Sequence, residues 1–364
     1  MTQAQVVRDH HAGIHGLRGA CVLAIFCYHV VNSGLVPVPS TEALVFIRWL
    51  CDGWRYGVEV FFMISGYVIV HSMRRHQNVT LFLRDRVLRI FPLWIPLAIL
   101  LIAGAWFMGQ VTGTTVRRFP DPLLLVPSLL ILAPVLHVPS IHPAQWSLCY
   151  ELFFYGFAAV AWANRTRMFW CVLLSFIPAC IFVILFPRAL FFIPGVLVAL
   201  FEYRLRTLAP VFRWGWLGLP IAWVTWLMTD IENAALSRTL VDFAAAGMLG
   251  LMGVAFLGAL CFFVWLVLFR ANTKNSLLSS KSMQWLGTIS FSFYLVHPIV
   301  MGAVKRIALP FLRFDQWVGI GFFVVASFAL SCVVSYWTWR LLEVGFRRWL
   351  ASSFQVPGAL ALKK

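Results

Sequence analysis

Residues 142–157 read HPAQWSLCYELFFYGF. One carboxylate, Glu151, stands inside a run that is otherwise apolar and aromatic. In a soluble core strand that glutamate is an oddity. In a bilayer it is expensive, and an expensive intramembrane charge reads as functional by default. The rest of the chain decides between the two. It has 364 residues, of which 61% are hydrophobic and only 12% charged. Ordinary soluble domains are about 45–50% apolar and about 25% charged. Long apolar stretches recur along the whole length, so the fold class expected is all-α, a polytopic membrane helix bundle.

The sequence pattern predicts ten spans, at 14–35, 56–73, 88–109, 146–163, 168–186, 189–203, 214–229, 243–268, 284–304 and 317–341. The run 123–137, PLLLVPSLLILAPVL, is broken by Pro127 and Pro134. It falls short of the ~20 residues a crossing needs and is expected to be a short or re-entrant segment. With a cytoplasmic N-terminus, Lys and Arg number 18 in inner segments and 9 in outer ones, Arg18 and Arg340 lying within spans. That satisfies the positive-inside rule with both termini cytoplasmic. The net charge of +16 is thereby a topology signal, and nucleic acid is not an expected partner. One transmembrane domain is expected over 1–350, with a short cytoplasmic tail over 351–364. The N-terminal apolar run is too long and too polar for a cleaved signal peptide.

The eight cysteines form no CxxC pair and stand at no zinc-ligand spacing from histidine. They read as small membrane-buried hydrophobes, and no metal is called for. No internal repeat is apparent, which weakens the case for inverted-repeat transporters.

This topology assigns a depth to each intramembrane polar group. Arg18 lies near the inner end of the first span, and His29 follows eleven residues later, about 16 Å further out. Glu59 falls about a turn below the outer surface. Ser147 and Glu151 fall in the outer third of their span, and Tyr294 and His297 in the outer half of theirs. Two histidines and two carboxylates thus share one depth. At the inner face, RRHQNVTLFLRDRVLRIFP (74–92) carries five arginines, among them Arg84, Arg86 and Arg89. Guanidinium forks suit a phosphate-bearing ligand. A histidine with a carboxylate partner suits deprotonation of a hydroxyl near neutral pH.

Each group also has a plainer reading. The arginines equally suit a topological anchor or lipid headgroups. Glu151, His29, Tyr294 and His297 equally suit helix–helix hydrogen bonding. Glu59 is expected to pair with Arg55 one turn earlier, and Arg340 with Glu343. Ser147 suits a helix cap, and Trp146 an interfacial anchor or a sugar platform.

Five segments together resemble the acyltransferase-3 family of integral membrane acyltransferases. GIHGLRGACVLAIFCYHV has the family's arginine and histidine with ten residues between them, here Arg18 and His29. GVEVFFMISGYVI is similar to its second helix, with Glu59 where aspartate is more usual. FLRDRVLRIFPLW carries its Arg-x-Arg and Arg-x-x-Pro places in Arg84, Arg86, Arg89 and Pro92. QWSLCYELFFY carries its Trp-Ser-x-x-x-Glu in Trp146, Ser147 and Glu151. LGTISFSFYLVHPIV is similar to its Gly-x-x-Ser…Tyr-Leu-x-His helix.

The resemblance implies an acyl-CoA donor, acetyl-CoA first, entering from the cytoplasm of a bacterium, and a hydroxyl acceptor on a cell-surface or lipid-linked glycan at the inner membrane. It implies His29 as base and Arg18, Arg84 and Arg86 as donor-binding groups. The mechanism expected on these residues adds Arg89 to the donor site, has Glu151 or Glu59 orient His29, and leaves open a two-step route with the acyl group carried on His29 or Ser147. Trp146, Tyr294 and His297 would line the acceptor cavity. The short exopolysaccharide-modifying members, without a fused periplasmic domain, are the nearest in character. The competing class is a transporter or flippase for a glycan precursor or organic anion, since buried His, Glu and Arg also serve proton relays.

Overall fold

The computed structural model describes residues 3–36, 41–76, 78–112, 122–165, 169–229, 239–270, 276–308 and 316–353. The described chain is helical, with no strand among these residues. Each of the ten expected spans is occupied by a helix, beginning with Gln3–Val31, Gly57–Arg75 and Val79–Thr112 and ending with Lys281–Ala303 and Gln316–Thr338. Among the described residues, six helical runs are long and apolar enough to cross a membrane. The chain is thus an all-α, multi-pass membrane protein. The expected spans at 146–163, 168–186, 189–203 and 214–229 are the helices Gln145–Ala163, Phe169–Leu185, Phe192–Thr207 and Gly218–Met228, which are not among those six. The C-terminal tail lies outside the described residues from 354, as do most of the polar loop 229–242 and the basic pair at 117–118.

One departure from the sequence reading stands out. Residues 42–52, expected as loop, form the helix Glu42–Asp52, capped by the Thr41 side chain, which accepts a bond from the Leu44 N–H. The 123–137 run, expected as a short or re-entrant segment, holds a single short helix, Pro122–Leu129, followed by turns. Ile131 and His137 there take positive φ of 64° and 55°. For a β-branched residue that is a strained conformation, and the surroundings must enforce it. Ile131 is fully buried, which supplies that enforcement.

The described chain divides into two compact units. One comprises Met1–Val79 and Phe153–Ser290, the other Thr80–Leu152 and Phe291–Lys364. In the first unit, helices Gly57–Arg75 and Phe192–Thr207 pack backbone to backbone. A methyl group at Gly195 would come within 1.8 Å of the Met63 carbonyl oxygen, and one at Gly66 within 2.2 Å of that of Phe192. Only glycine fits at such a crossing, and in lipid close backbone approach is a main source of helix association. Polar groups pin this pair on both sides of the crossing. On one side Arg188 Nε lies 2.7 Å from Glu59 Oε1, with both side chains buried. On the other, the Tyr67 hydroxyl donates to Glu202 Oε2 at 3.1 Å and Arg206 Nη2 donates to Glu202 Oε1 at 2.9 Å. His71 Nε2 lies 3.6 Å from the same carboxylate.

The second unit is held differently, by a web on the loop after the short helix. Gln145 receives the Ile141 N–H on Oε1 and donates from Nε2 to the Ser128 carbonyl. The Ser128 hydroxyl donates to the Pro139 carbonyl, and the Trp94 indole N–H to that of Leu129. Irregular backbone at membrane depth is tolerated when buried in protein and satisfied in this way.

Candidate active site

The first helix carries two of the predicted groups, and its sequence explains how one is held. His15 of GIHGLRG lies against Gly287, where a methyl group would fall 2.2 Å from the His15 carbonyl oxygen. That approach brings Lys281–Ala303 alongside the first helix. Arg18 Nε then donates to the Ser290 hydroxyl at 3.1 Å. Ser290 in turn donates to the Gly287 carbonyl at 2.8 Å, so its oxygen is oriented to accept from the guanidinium. His15 Nε2 and the Thr288 hydroxyl, 3.1 Å apart, make a second polar link, and Gln284 Nε2 adds a third to the Ala12 carbonyl. The Gly-x-x-Ser pattern is therefore a socket for the arginine helix: glycine for the approach, serine for the bond.

His29 lies near the far end of the same helix, half-buried. The Tyr28 ring meets it edge-on at 5.1 Å between centroids. Glu59 is fully buried, and the partner expected in Arg55 is supplied by Arg188. Arg55 lies within electrostatic reach of Glu59, Arg188, Asp52 and Tyr28. Arg188 belongs to a loop that sequence reasoning counted only as outer charge. Its signal was available: an arginine beside apolar PRALFF, opposite a carboxylate that needed neutralising.

In the second unit, Arg84, Arg86 and Arg89 are all half-buried on helix Val79–Thr112. Arg84 Nη2 lies 3.8 Å from Asp85 Oδ1, and the Arg86 guanidinium lies over the Phe82 ring at 5.8 Å. Helical periodicity sets Arg86 and Arg89 on one side and Arg84 on nearly the opposite one. The three do not form a single fork.

Ser147 donates to the Ala144 carbonyl at 2.9 Å and stands 2.9 Å from the Tyr294 hydroxyl. Its one proton goes to the carbonyl, so Tyr294 is the donor in the second bond. Ser147 is the third residue of helix Gln145–Ala163, so it bonds back to the carbonyl that precedes the helix and does not cap it by accepting an N–H. Glu151, one turn further on, is half-buried. Trp146 is half-buried and meets Tyr150 edge-on at 5.5 Å.

His297 is fully buried, and its Nδ1 lies 2.7 Å from the Phe293 carbonyl oxygen. A carbonyl only accepts, so Nδ1 carries the proton and the lone pair of a neutral ring sits on Nε2. A histidine that sequence reasoning passed over, His142, is also buried. Its Nδ1 accepts the Ala144 N–H at 3.0 Å, which fixes the other tautomer, and Nε2 donates to the Leu295 carbonyl at 2.9 Å. His142 stands at the head of HPAQW and anchors the start of the Trp-Ser-x-x-x-Glu helix to helix Lys281–Ala303. Near the C-terminal end, the Ser292 hydroxyl donates to Glu343 at 2.5 Å, and Arg340 Nη1 donates to the Tyr336 hydroxyl at 3.1 Å.

The arginine helix socketed by Gly-x-x-Ser and the Trp-Ser-x-x-x-Glu helix thus carry, in an all-helical membrane body, the segments that resemble the acyltransferase-3 family. The chain belongs to the acyltransferase-3 family: that family's acyltransferase-domain model matches residues 11–336. It is similar to acyltransferase MdmB of Streptomyces mycarofaciens, 29% identical over 348 residues and covering 87% of each chain. It is also similar to exopolysaccharide production protein ExoZ of Rhizobium meliloti (strain 1021), 25% identical over 278 residues, 70% of this chain and 78% of that one. No solved structure matches the chain.

Proposed function

We propose that this protein is an O-acyltransferase of the bacterial inner membrane. It moves an acyl group, acetyl first, from a cytoplasmic acyl-CoA to a hydroxyl of a cell-surface or lipid-linked glycan. The observation that carries this reading is the first helix: one continuous element bears a socketed arginine and, about 16 Å along, a half-buried histidine. A CoA ester has the same two-ended character, with phosphates at one end and a reactive thioester at the other. The exopolysaccharide-production relative supports the glycan acceptor.

In this reading Arg18, Arg86 and Arg89 engage phosphate oxygens through charge-assisted hydrogen bonds, and Arg84 contributes positive field from the other side of its helix. His29 is the general base. It takes the proton of the acceptor hydroxyl as the oxygen attacks the thioester carbonyl. The C–O bond forms, the C–S bond breaks, and the CoA thiolate leaves and recovers a proton. Glu59, neutralised by Arg188, acts as a positioning residue for the helices around the base. Tyr294 holds Ser147, and Trp146, Tyr294 and His297 line the acceptor side of the site.

The test is transfer from radiolabelled acetyl-CoA in membranes holding wild type, His29→Ala or Glu151→Gln at matched protein levels. Label on surface glycan in wild type is expected to fall about 10²–10⁴-fold in His29→Ala, the usual contribution of a general base. Unchanged labelling in His29→Ala overturns the base assignment. Absence of label in every sample, with gradient-driven movement of an unmodified glycan precursor, replaces the transferase reading with transport. The Glu151→Gln sample decides whether that carboxylate has a chemical role.

A further inference from the structure

The run Glu42–Arg75 is longer than a crossing requires. It covers 34 residues, against the ~20 that span a hydrocarbon core. It breaks at Gly53–Tyr56, where the chain tightens into a 3-10 turn. The two sides of the break differ in kind. After it, Gly57–Arg75 is largely buried, including the fully buried Glu59 and Tyr67 at 1% exposure. Before it, no residue of Glu42–Asp52 is buried. Leu44, Val45, Phe46 and Ile47 are 48–57% exposed in succession. Phe46 stacks on Trp49 at 5.9 Å.

An eleven-residue helix is about 16 Å long, roughly half a hydrocarbon core, so it cannot cross. Four consecutive large apolar side chains do not belong in bulk water either. The helix carries Glu42, Arg48 and Asp52 on the remainder of its surface, the amphipathic make-up of an in-plane helix. It is also tied down. Asn32 Nδ2 donates to Asp52 Oδ1 at 2.7 Å, and Asn32 is the residue that follows the first helix, three past His29.

We infer that Glu42–Asp52 is a membrane-surface helix whose partner is the headgroup–acyl boundary of the leaflet at the His29 end of the first helix. The lipid is the occupant because the exposed helix is continuous with a buried crossing helix, which brings its end to that boundary. The Asn32–Asp52 bond latches it to the first helix. Given the function proposed above, on which this last step rests, a lipid-borne acceptor diffusing in that leaflet meets the helix bearing His29 at the depth where it travels.

The placement is testable without any activity. A polarity-sensitive fluorescent amino acid is installed by nonsense suppression at position 47 and, as a mid-span control, at position 257, where Leu257 is 58% exposed. Each protein is placed in nanodiscs whose lipids carry a nitroxide near the headgroup or near the chain end. Position 47 should be quenched about two-fold or more strongly by the shallow nitroxide, and position 257 by the deep one. Insensitivity of position 47 to both nitroxides, with position 257 behaving as expected, overturns the proposal in favour of water or a protein partner. Stronger quenching of position 47 by the deep nitroxide overturns it in favour of a crossing segment. Asp52→Ala should blur the depth preference at position 47 and leave position 257 unchanged; an unaltered profile removes the latch.

Discussion

The two units of this protein solve the same problem by different means. The first joins helices Gly57–Arg75 and Phe192–Thr207 by direct backbone contact at Gly66 and Gly195, with Glu59–Arg188 and the Glu202 group flanking that crossing. The second contains an irregular stretch, 130–144, that no backbone ladder can satisfy. Beside its local turn bonds it uses Ser128, His142, Gln145 and Ser147 to satisfy backbone groups one at a time, with Tyr294 holding Ser147. The difference teaches that a polar residue at membrane depth is not by itself a catalytic signal. In lipid, irregular backbone and closely packed helices both demand polar partners for structural reasons.

The comparison breaks first at Glu59. Glu59→Gln strands the buried Arg188 guanidinium, and removal of one partner of a buried pair costs about 3–5 kcal/mol. The folded fraction in detergent should drop sharply by thermal unfolding. Glu59→Leu combined with Arg188→Met should restore it, since a well-packed apolar pair of similar volume is often neutral or stabilising. A double variant that is stable yet inactive would return a chemical role to Glu59.

A smaller effect is expected at His142. His142→Ala removes a donor and an acceptor from buried backbone partners and should cost about 2–3 kcal/mol. The loss should appear as faster hydrogen exchange over 128–147, with the helix pair of the first unit unaffected. Equal exchange in both would merge the two regions into one cooperative unit.

The smallest effect is expected at Ser147. Ser147→Ala should cost about 1 kcal/mol and reduce transfer by less than about tenfold, because its proton already serves the Ala144 carbonyl. Complete loss of transfer in a stable Ser147→Ala protein would make the serine a nucleophile and sharpen the second unit into a catalytic one.

Much of this was legible beforehand. Apolar run length located the helices, because a membrane crossing is a one-dimensional requirement on consecutive residues. The motif residues Arg18, His29, Arg84, Trp146, Ser147 and Glu151 could be named because their spacing lies within single helices. The helix Glu42–Asp52 escaped because it is too short for a span and its only internal sign was a polar residue every few positions. Arg188 and His142 escaped for another reason: their meaning depends on a partner more than a hundred residues away.

By itself, then, the sequence determined the helical membrane body, its family and the order of charged groups along each helix. Those properties follow from local composition and from the rise and period of the α-helix. Only the tertiary structure decided which charges are spent on one another. Arg18 goes to Ser290, Glu59 to Arg188 and Ser147 to Tyr294 through long-range contacts. In a low-dielectric interior such pairings are compelled by the cost of leaving a polar group alone, and no spacing along the chain encodes them.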